Sequence, residues 1–322
     1  MKLTNILVVA DKRMRSTTAL ERGVTLAQKY GAQLHICIFD YDPLIEHAAT
    51  LLQPGAFKLL RSEYLAERQT WLATQAAAWA EHGVRIKYDV IWAPKPHEEI
   101  LKMVREIGPD LLIKDIHSEP MQQRLSHSPL DRQVLRYCPV PVMLVGPSAK
   151  YRPRRIVVAV DTKMTSFRPG PLNDEMFSAA ELINQSFDAE LHVAHVTMPL
   201  SPFDVTSISL ADIYAKFLFA ESQAFRDICL SHDVAHDSQH LLNGNTAMEI
   251  ARLTQRMDID VLILGSHDCT AENRFMLGST VESLLGQVDC DILIIKNPDT
   301  ASIQKLSGDH EVIRSDVKPE VV

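Results

Sequence analysis

Apolar residues along the chain follow two alternating rhythms. Short runs such as Ile6–Ala10 are rich in β-branched residues and apolar on both faces, the pattern of a strand buried in a parallel sheet. Between such runs the spacing becomes helical. Ile100, Met103, Val104 and Ile107 fall at i, i+3, i+4 and i+7, as do Ile250, Leu253, Thr254 and Met257, so each set lines one helical face that can cover a sheet. Two longer helices are predicted. One carries Leu65, Leu72 and Trp79 at seven-residue intervals, the other Leu210, Ile213, Phe217, Ala220, Ala224 and Ile228. Their stripes are read as core, with the alternative that part of them lines an apolar ligand pocket. Strand and helix alternate throughout, which predicts doubly wound α/β architecture with parallel sheets.

The pattern occurs twice. "NILVVAD" (5–11) returns as "RIVVAVD" (155–161), and "AQLHICIF" (32–39) as "AELHVAHV" (189–196). "HEEILKMVREIGPDLLIKDIH" (97–117) returns as "AMEIARLTQRMDIDVLILGSH" (247–267), and "CPVPVMLVGP" (138–147) as "CDILIIKNP" (290–298). The offset stays near 150 residues. The chain therefore divides into a first domain over 1–148 and a second over 151–299, each reading β-α-β-α-β-α-β-α-β. The link between them, "PSAKYRPRR", is short and basic; residues 300–322 are charged and poor in apolar side chains, and read as a loose tail.

Composition narrows the function. The 322 residues are 46% hydrophobic and 23% charged, an ordinary globular balance. A net charge of −8 argues against a nucleic-acid binder. No apolar run reaches the roughly 20 residues of a membrane span, and the N-terminus lacks the apolar core of a signal peptide. Five cysteines, with no CxxC spacing, fit a reduced cytoplasmic setting and no disulfide framework or zinc knuckle.

Candidate chemistry gathers in "LILGSHDCTAENRFMLGST" (262–280), where an apolar run stops at a glycine and hydroxyls follow a second glycine. This loop and the repeat together resemble the universal stress protein family, in its tandem form. Members have a five-stranded doubly wound fold, and many bind ATP through glycine, two residues, glycine, nine residues, then glycine and serine or threonine. Gly265, Asp268, Gly278 and Ser279 occupy those four places, with a carboxylate where the second glycine would stand. The resemblance implies two such sheets related by a pseudo-two-fold, with the last strands of the halves paired inside one chain. It also implies that Asp161 contacts an adenosine part and Val196 the base. Gly265 would admit a phosphate near the backbone, and Gly278, Ser279 and Thr280 would offer it a helix start. The bland reading is that Asp161, Ser279 and Thr280 cap helices.

The first repeat departs further. Asp11 and Ile38 match Asp161 and the base-contact strand only roughly, Asp115 stands in register with Gly265, and no glycine occurs from Pro109 to Val145. Ser128, Pro129 and Asp131 form a self-sufficient helix start. Thirteen histidines invite a metal reading. However, His232, His236 and His240 should straddle a helix end, and His192 and His195 should point to opposite faces of a strand. His117 and His267 read as loop residues and Cys269 as an exposed thiol, and no metal ligand or catalytic set is assigned. The expectation is a cytoplasmic stress-response protein that senses or carries a small ligand through its second domain, with no required cofactor. ATP or another adenine nucleotide with Mg would bind weakly, and further homodimerisation is open. The alternatives are an enzyme of ATP hydrolysis or phosphoryl transfer, with Asp268 holding Mg, and a binder of an apolar or acyl-bearing molecule.

Overall fold

The computed structural model describes residues 1–51, 54–116, 129–146, 149–162, 171–197, 208–266 and 278–296. The expected tail and the stretch His267–Leu277, which includes Asp268 and Cys269, lie outside them, as do His117 and Ser128. Among the described residues, no helix is long and apolar enough to cross a membrane.

The chain forms two compact units, Leu3–Lys114 and Asp115 onward through the second repeat. The first contains β1 (Asn5–Val9), α1 (Thr18–Tyr30), β2 (Gln33–Asp40), α2 (Pro43–Leu51), α3 (Pro54–Ala80), β3 (Arg85–Trp92), α4 (Pro96–Ile107) and β4 (Leu111–Asp115). Its strands run parallel in the order β3-β2-β1-β4. Local sequence sets the ends of the elements. Thr17 caps α1 by accepting from Leu20 N–H, and Gly31 closes it in the left-handed conformation at φ 63°. Pro96 opens α4 and Gly108, at φ 60°, ends it. The expected faces are buried: Ile100 and Val104 on α4, with Leu72 on α3. The single long helix expected before β3 is instead the pair α2 and α3.

The second unit adds α5 (Pro129–Tyr137), β5 (Val142–Val145), β6 (Arg155–Ala159), α6 (Pro171–Phe187), β7 (Glu190–Thr197), α7 (Ile208–Ser231), β8 (Gln239–Asn243), α8 (Thr246–Arg256), β9 (Val261–Ser266), α9 (Ser279–Leu284) and β10 (Asp291–Lys296). Here the order is β5-β10-β9-β6-β7-β8. All neighbours are parallel except β5 and β10, which pair antiparallel with Met143 opposite Leu293. The last strands of the two repeats are thus adjacent, as the resemblance implies. Asp291 Oδ1 accepts from Gly146 N–H at 2.8 Å, Lys296 Nζ donates to Leu135 O at 2.6 Å, and Arg136 on α5 pairs with Glu282 on α9 at 2.7 Å.

The repeat also shows in a buttress. Asp110 accepts from Thr4 and Asn5 N–H at the start of β1, and Asp260 accepts from Arg154 and Arg155 N–H at the start of β6. One structural departure concerns α7. Ile213 and Phe217, expected in the core, are 65% and 46% exposed, and the buried face is Glu221, Phe225, Ile228 and Cys229.

Candidate functional site

In an open α/β sheet, ligands sit beyond the carboxyl ends of the strands. In the second unit those ends converge. Val160 N–H donates to Ala194 O at 2.9 Å, and Ala159 lies in register with Leu264. The ends of β6, β7 and β9 are therefore neighbours. Asp161 follows β6 and is exposed; its backbone oxygen accepts from the buried Asn173 amide at 3.3 Å. Val196 is buried within β7.

A residue without an assigned role in the sequence reading sits between them. His195 is buried, with Nδ1 3.0 Å from Val160 O and Nε2 3.0 Å from Thr162 Oγ1. A carbonyl only accepts, so Nδ1 carries the proton and the neutral ring's Nε2 accepts from the Thr162 hydroxyl. The imidazole thus ties the turn after β6 to the end of β7. Its position near a strand end was the available signal; its partner, 33 residues away in sequence, was not visible.

Two glycines divide in meaning. Gly278 has φ 83° and open space where a Cβ would stand, and it precedes Ser279 and Thr280 at the start of α9. Only glycine takes that conformation without strain. At Gly265, a Cβ would come within 2.7 Å of Leu172 Cδ2 and 2.9 Å of Met176 Sδ. Packing of α6 on β9 is therefore sufficient reason for a glycine there, without a phosphate. Asp161 is exposed just beyond β6, and the hydroxyl-bearing Ser279 and Thr280 open α9. Asp268 and the rest of the loop between β9 and α9 lie outside the described residues.

The corresponding ends in the first unit are closed by their own cations. Asp11, in register with Asp161, accepts from Arg15 Nε and Nη2 at 2.8 and 2.7 Å and from Arg13 N–H at 3.0 Å. Asp40 ends β2, and its side chain is 1% exposed. It accepts from Arg68 Nε at 2.5 Å, Tyr64 hydroxyl at 2.8 Å and Tyr41 N–H at 2.8 Å, with Lys12 Nζ at 3.5 Å. The Arg68 guanidinium stacks 3.6 Å from the Tyr64 ring, and Tyr64 and Tyr41 meet Trp92 edge-on. Burial and the neighbouring Asp40 push the Tyr64 phenol up to about 12. The strand register keeps the repeat alignment: Phe39 is the counterpart of Val196, and Ile38 of His195.

The histidine triplet occupies three settings. His232 follows α7, stacks on Phe177 at 3.7 Å and lies 3.4 Å from Asp174. His236 is exposed in a 3₁₀ turn, and His240 is in β8. His192 and His195 do point to opposite faces of β7, His192 toward His240 and His195 toward Thr162. Cys37, Cys138 and Cys229 are free and buried, and Cys290 is free and partly buried.

Comparison with known proteins gives a consistent picture. The sequence model of the universal stress protein family matches residues 2–146 and 153–296. Universal stress protein E of Photorhabdus laumondii is 29% identical over 303 residues, covering 91% of this chain and 94% of that protein. Its Escherichia coli K12 counterpart is 27% identical over 298 residues, with 91% and 93% covered. Among solved structures, a functionally unknown protein of Pseudomonas aeruginosa PAO1 superposes with a TM-score of 0.74 at 20% identity, covering 92% of this chain and 94% of the other. A universal stress protein of Archaeoglobus fulgidus gives 0.57 at 16% identity, covering 92% and 98%. At these identities the structural likeness shows the fold.

Proposed function

Because the chain belongs to the universal stress protein family, we propose that it is a cytoplasmic stress-response protein that senses or carries a small ligand at the strand ends of its second repeat. One observation carries this reading. In the first repeat the strand-end carboxylates Asp11 and Asp40 are buried against Arg15, Arg68 and Tyr64, whereas in the second Asp161 is exposed and adjoins the Thr162–His195 pair.

The ligand class favoured by the loop pattern is an adenine nucleotide, held weakly. Asp268 puts a side chain and a negative charge where the family pattern has glycine. Two like unit charges 4 Å apart repel by about 1 kcal/mol in water and about 4 kcal/mol at the effective dielectric near a protein surface. A penalty of ~1.4 kcal/mol is tenfold in affinity. Titration calorimetry of the full chain with ATP, with and without Mg²⁺, tests this. Asp268→Gly is expected to strengthen binding roughly tenfold or more, and Asp161→Ala to abolish what binding there is. Tight metal-free binding by the wild type, or an unchanged affinity in Asp268→Gly, overturns the role given to the carboxylate. A second reading, an apolar or acyl-bearing ligand, draws on the exposure of Ile213, Phe217 and Phe219 on α7. Mass spectrometry of what gentle extraction releases from the purified protein separates the two.

A further inference from the structure

We propose that His192 and His240, on adjacent strands at the edge of the second repeat's sheet, bind one divalent cation of the zinc class, with Glu190 orienting His192. This site is remote in purpose and placement from the strand-end ligand site. His192 lies near the amino end of β7, and His240 pairs in register with Ala194, two residues on. The two imidazoles therefore share one face of the sheet.

The geometry is specific. His192 Nδ1 and His240 Nε2 are 3.3 Å apart, with ring centroids 5.3 Å apart and planes tilted by 42°. Zinc–imidazole bonds of about 2.0–2.1 Å at a tetrahedral angle place two ligating nitrogens about 3.3–3.4 Å apart. The two nitrogens share a hydrogen bond at 3.3 Å, so a cation that takes the place of its proton meets both at that spacing. The far nitrogen of His192 supplies a second observation. The His192 side chain is only 9% exposed, and its Nε2 is buried with no hydrogen-bond partner. The nearest carboxylate oxygen, Glu190 Oε2, stands 3.8 Å away. With a cation on Nδ1, Nε2 carries the proton and becomes more acidic, which draws Glu190 into the carboxylate–histidine–metal arrangement. Glu190 is exposed and held from the other side by Arg155 Nε at 3.2 Å, so it can move that distance.

Imidazole nitrogens suit zinc, copper and nickel, and the ligating form is neutral. Burial lowers the pKa of both rings; Glu190 opposes this and Arg155 adds to it at His192, while His192 and Arg256 add to it at His240. Among the described residues no group of three or more His, Cys, Asp or Glu converges on one point. The site therefore has two protein ligands and leaves the remaining positions to water or an external ligand. The first repeat has lost the arrangement. His35 replaces His192, but Lys87 stands in register beside it and Asp89 holds the position of His240.

The test uses the full chain, stripped with a chelator, dialysed, and labelled with ¹⁵N-histidine. Zinc chloride is expected to shift His192 Nδ1 and His240 Nε2 together with a one-to-one end point. His240→Ala is expected to remove that event, and Glu190→Gln to weaken it by about tenfold or more. Because the spectrum resolves individual rings, zinc taken up by other histidines or cysteines does not imitate the result. Wild-type His192 and His240 resonances that stay unmoved through the titration overturn the proposal, as does an event of unchanged affinity in His240→Ala.

Discussion

The two repeats end their strands in opposite ways. In the first, Asp11 and Asp40 are buried, Asp11 paired with Arg15 and Asp40 with Arg68 and Lys12, and Tyr64 donates its hydroxyl to Asp40; in the second, Asp161 is exposed, and Thr197, the counterpart of Asp40, donates its hydroxyl to Leu242 O at 3.1 Å. The carboxylate that follows the first strand of each repeat is thus buried in one copy and exposed in the other. A carboxylate buried against its own chain's cations is withdrawn from solvent, whereas an exposed one is not.

The largest expected effect exploits that difference. Arg68→Ala leaves Asp40 buried without its guanidinium, which is expected to cost about 3 kcal/mol or more. Asp161→Ala is expected to change stability by no more than about 0.5 kcal/mol. Urea unfolding reads the first change directly, since all three tryptophans, Trp71, Trp79 and Trp92, lie in the first repeat. The second needs circular dichroism. Equal losses from the two substitutions break the comparison.

Next in size is Gly265→Ala, expected to cost about 1–3 kcal/mol by overpacking against Leu172 and Met176. Adding Leu172→Ala should recover part of the loss if packing of α6 is the reason for the glycine. Gly278→Ala meets open space among the described residues and should cost only the strain of φ 83° with ψ 134°, about 1–3 kcal/mol. Leu172→Ala should leave that loss unchanged, and rescue of Gly278→Ala by it in thermal unfolding would reverse the roles given to the two glycines.

A pH effect follows from His192 and His240. Their folded-state pKa values lie below the ordinary 6.5, mainly through burial, so below pH 6.5 the unfolded chain binds more protons than the folded one. Their contribution to stability is full above that value and is lost as pH falls through the lowered pKa values. His240→Gln should therefore flatten the acid side of a Tm-against-pH profile, and an unchanged slope would remove the pair as a cause. A small effect is also expected from Glu282→Gln. Its pair with Arg136 is exposed on both sides and should be worth no more than about 1 kcal/mol in denaturant unfolding.

Much of the fold was legible because a constant offset near 150 residues repeats both rhythms, and Ile100 and Val104 on α4 and Ile250, Leu253 and Thr254 on α8 are buried where the pattern put them, with Met103, Ile107 and Met257 half-buried at the stripe margins. The α7 stripe was less legible. Periodicity marks an apolar face but not what covers it, so Phe225, Ile228 and Cys229 are buried while Ile213 and Phe217 are exposed. The site was half legible. Asp161 and Gly278 stand at strand and helix ends that local sequence marks. The Thr162–His195 bond, the Arg68–Asp40 pair and the contact of Gly265 with Leu172 join residues far apart in the chain. No local pattern encodes them.

The antiparallel pairing of β5 with β10 has a consequence for biosynthesis. About 150 residues separate the two strands in the chain. At roughly 5–20 residues per second, the ribosome delivers β10 about 7–30 s after β5. During that interval Val142–Val145 wait without their later partner, and the growing polypeptide carries an uncovered strand margin. On a crowded polysome, neighbouring nascent chains present the same margin at the same moment. The tandem gene therefore supplies its own partner in cis, at a local concentration that a second message cannot match, but only once translation is nearly complete.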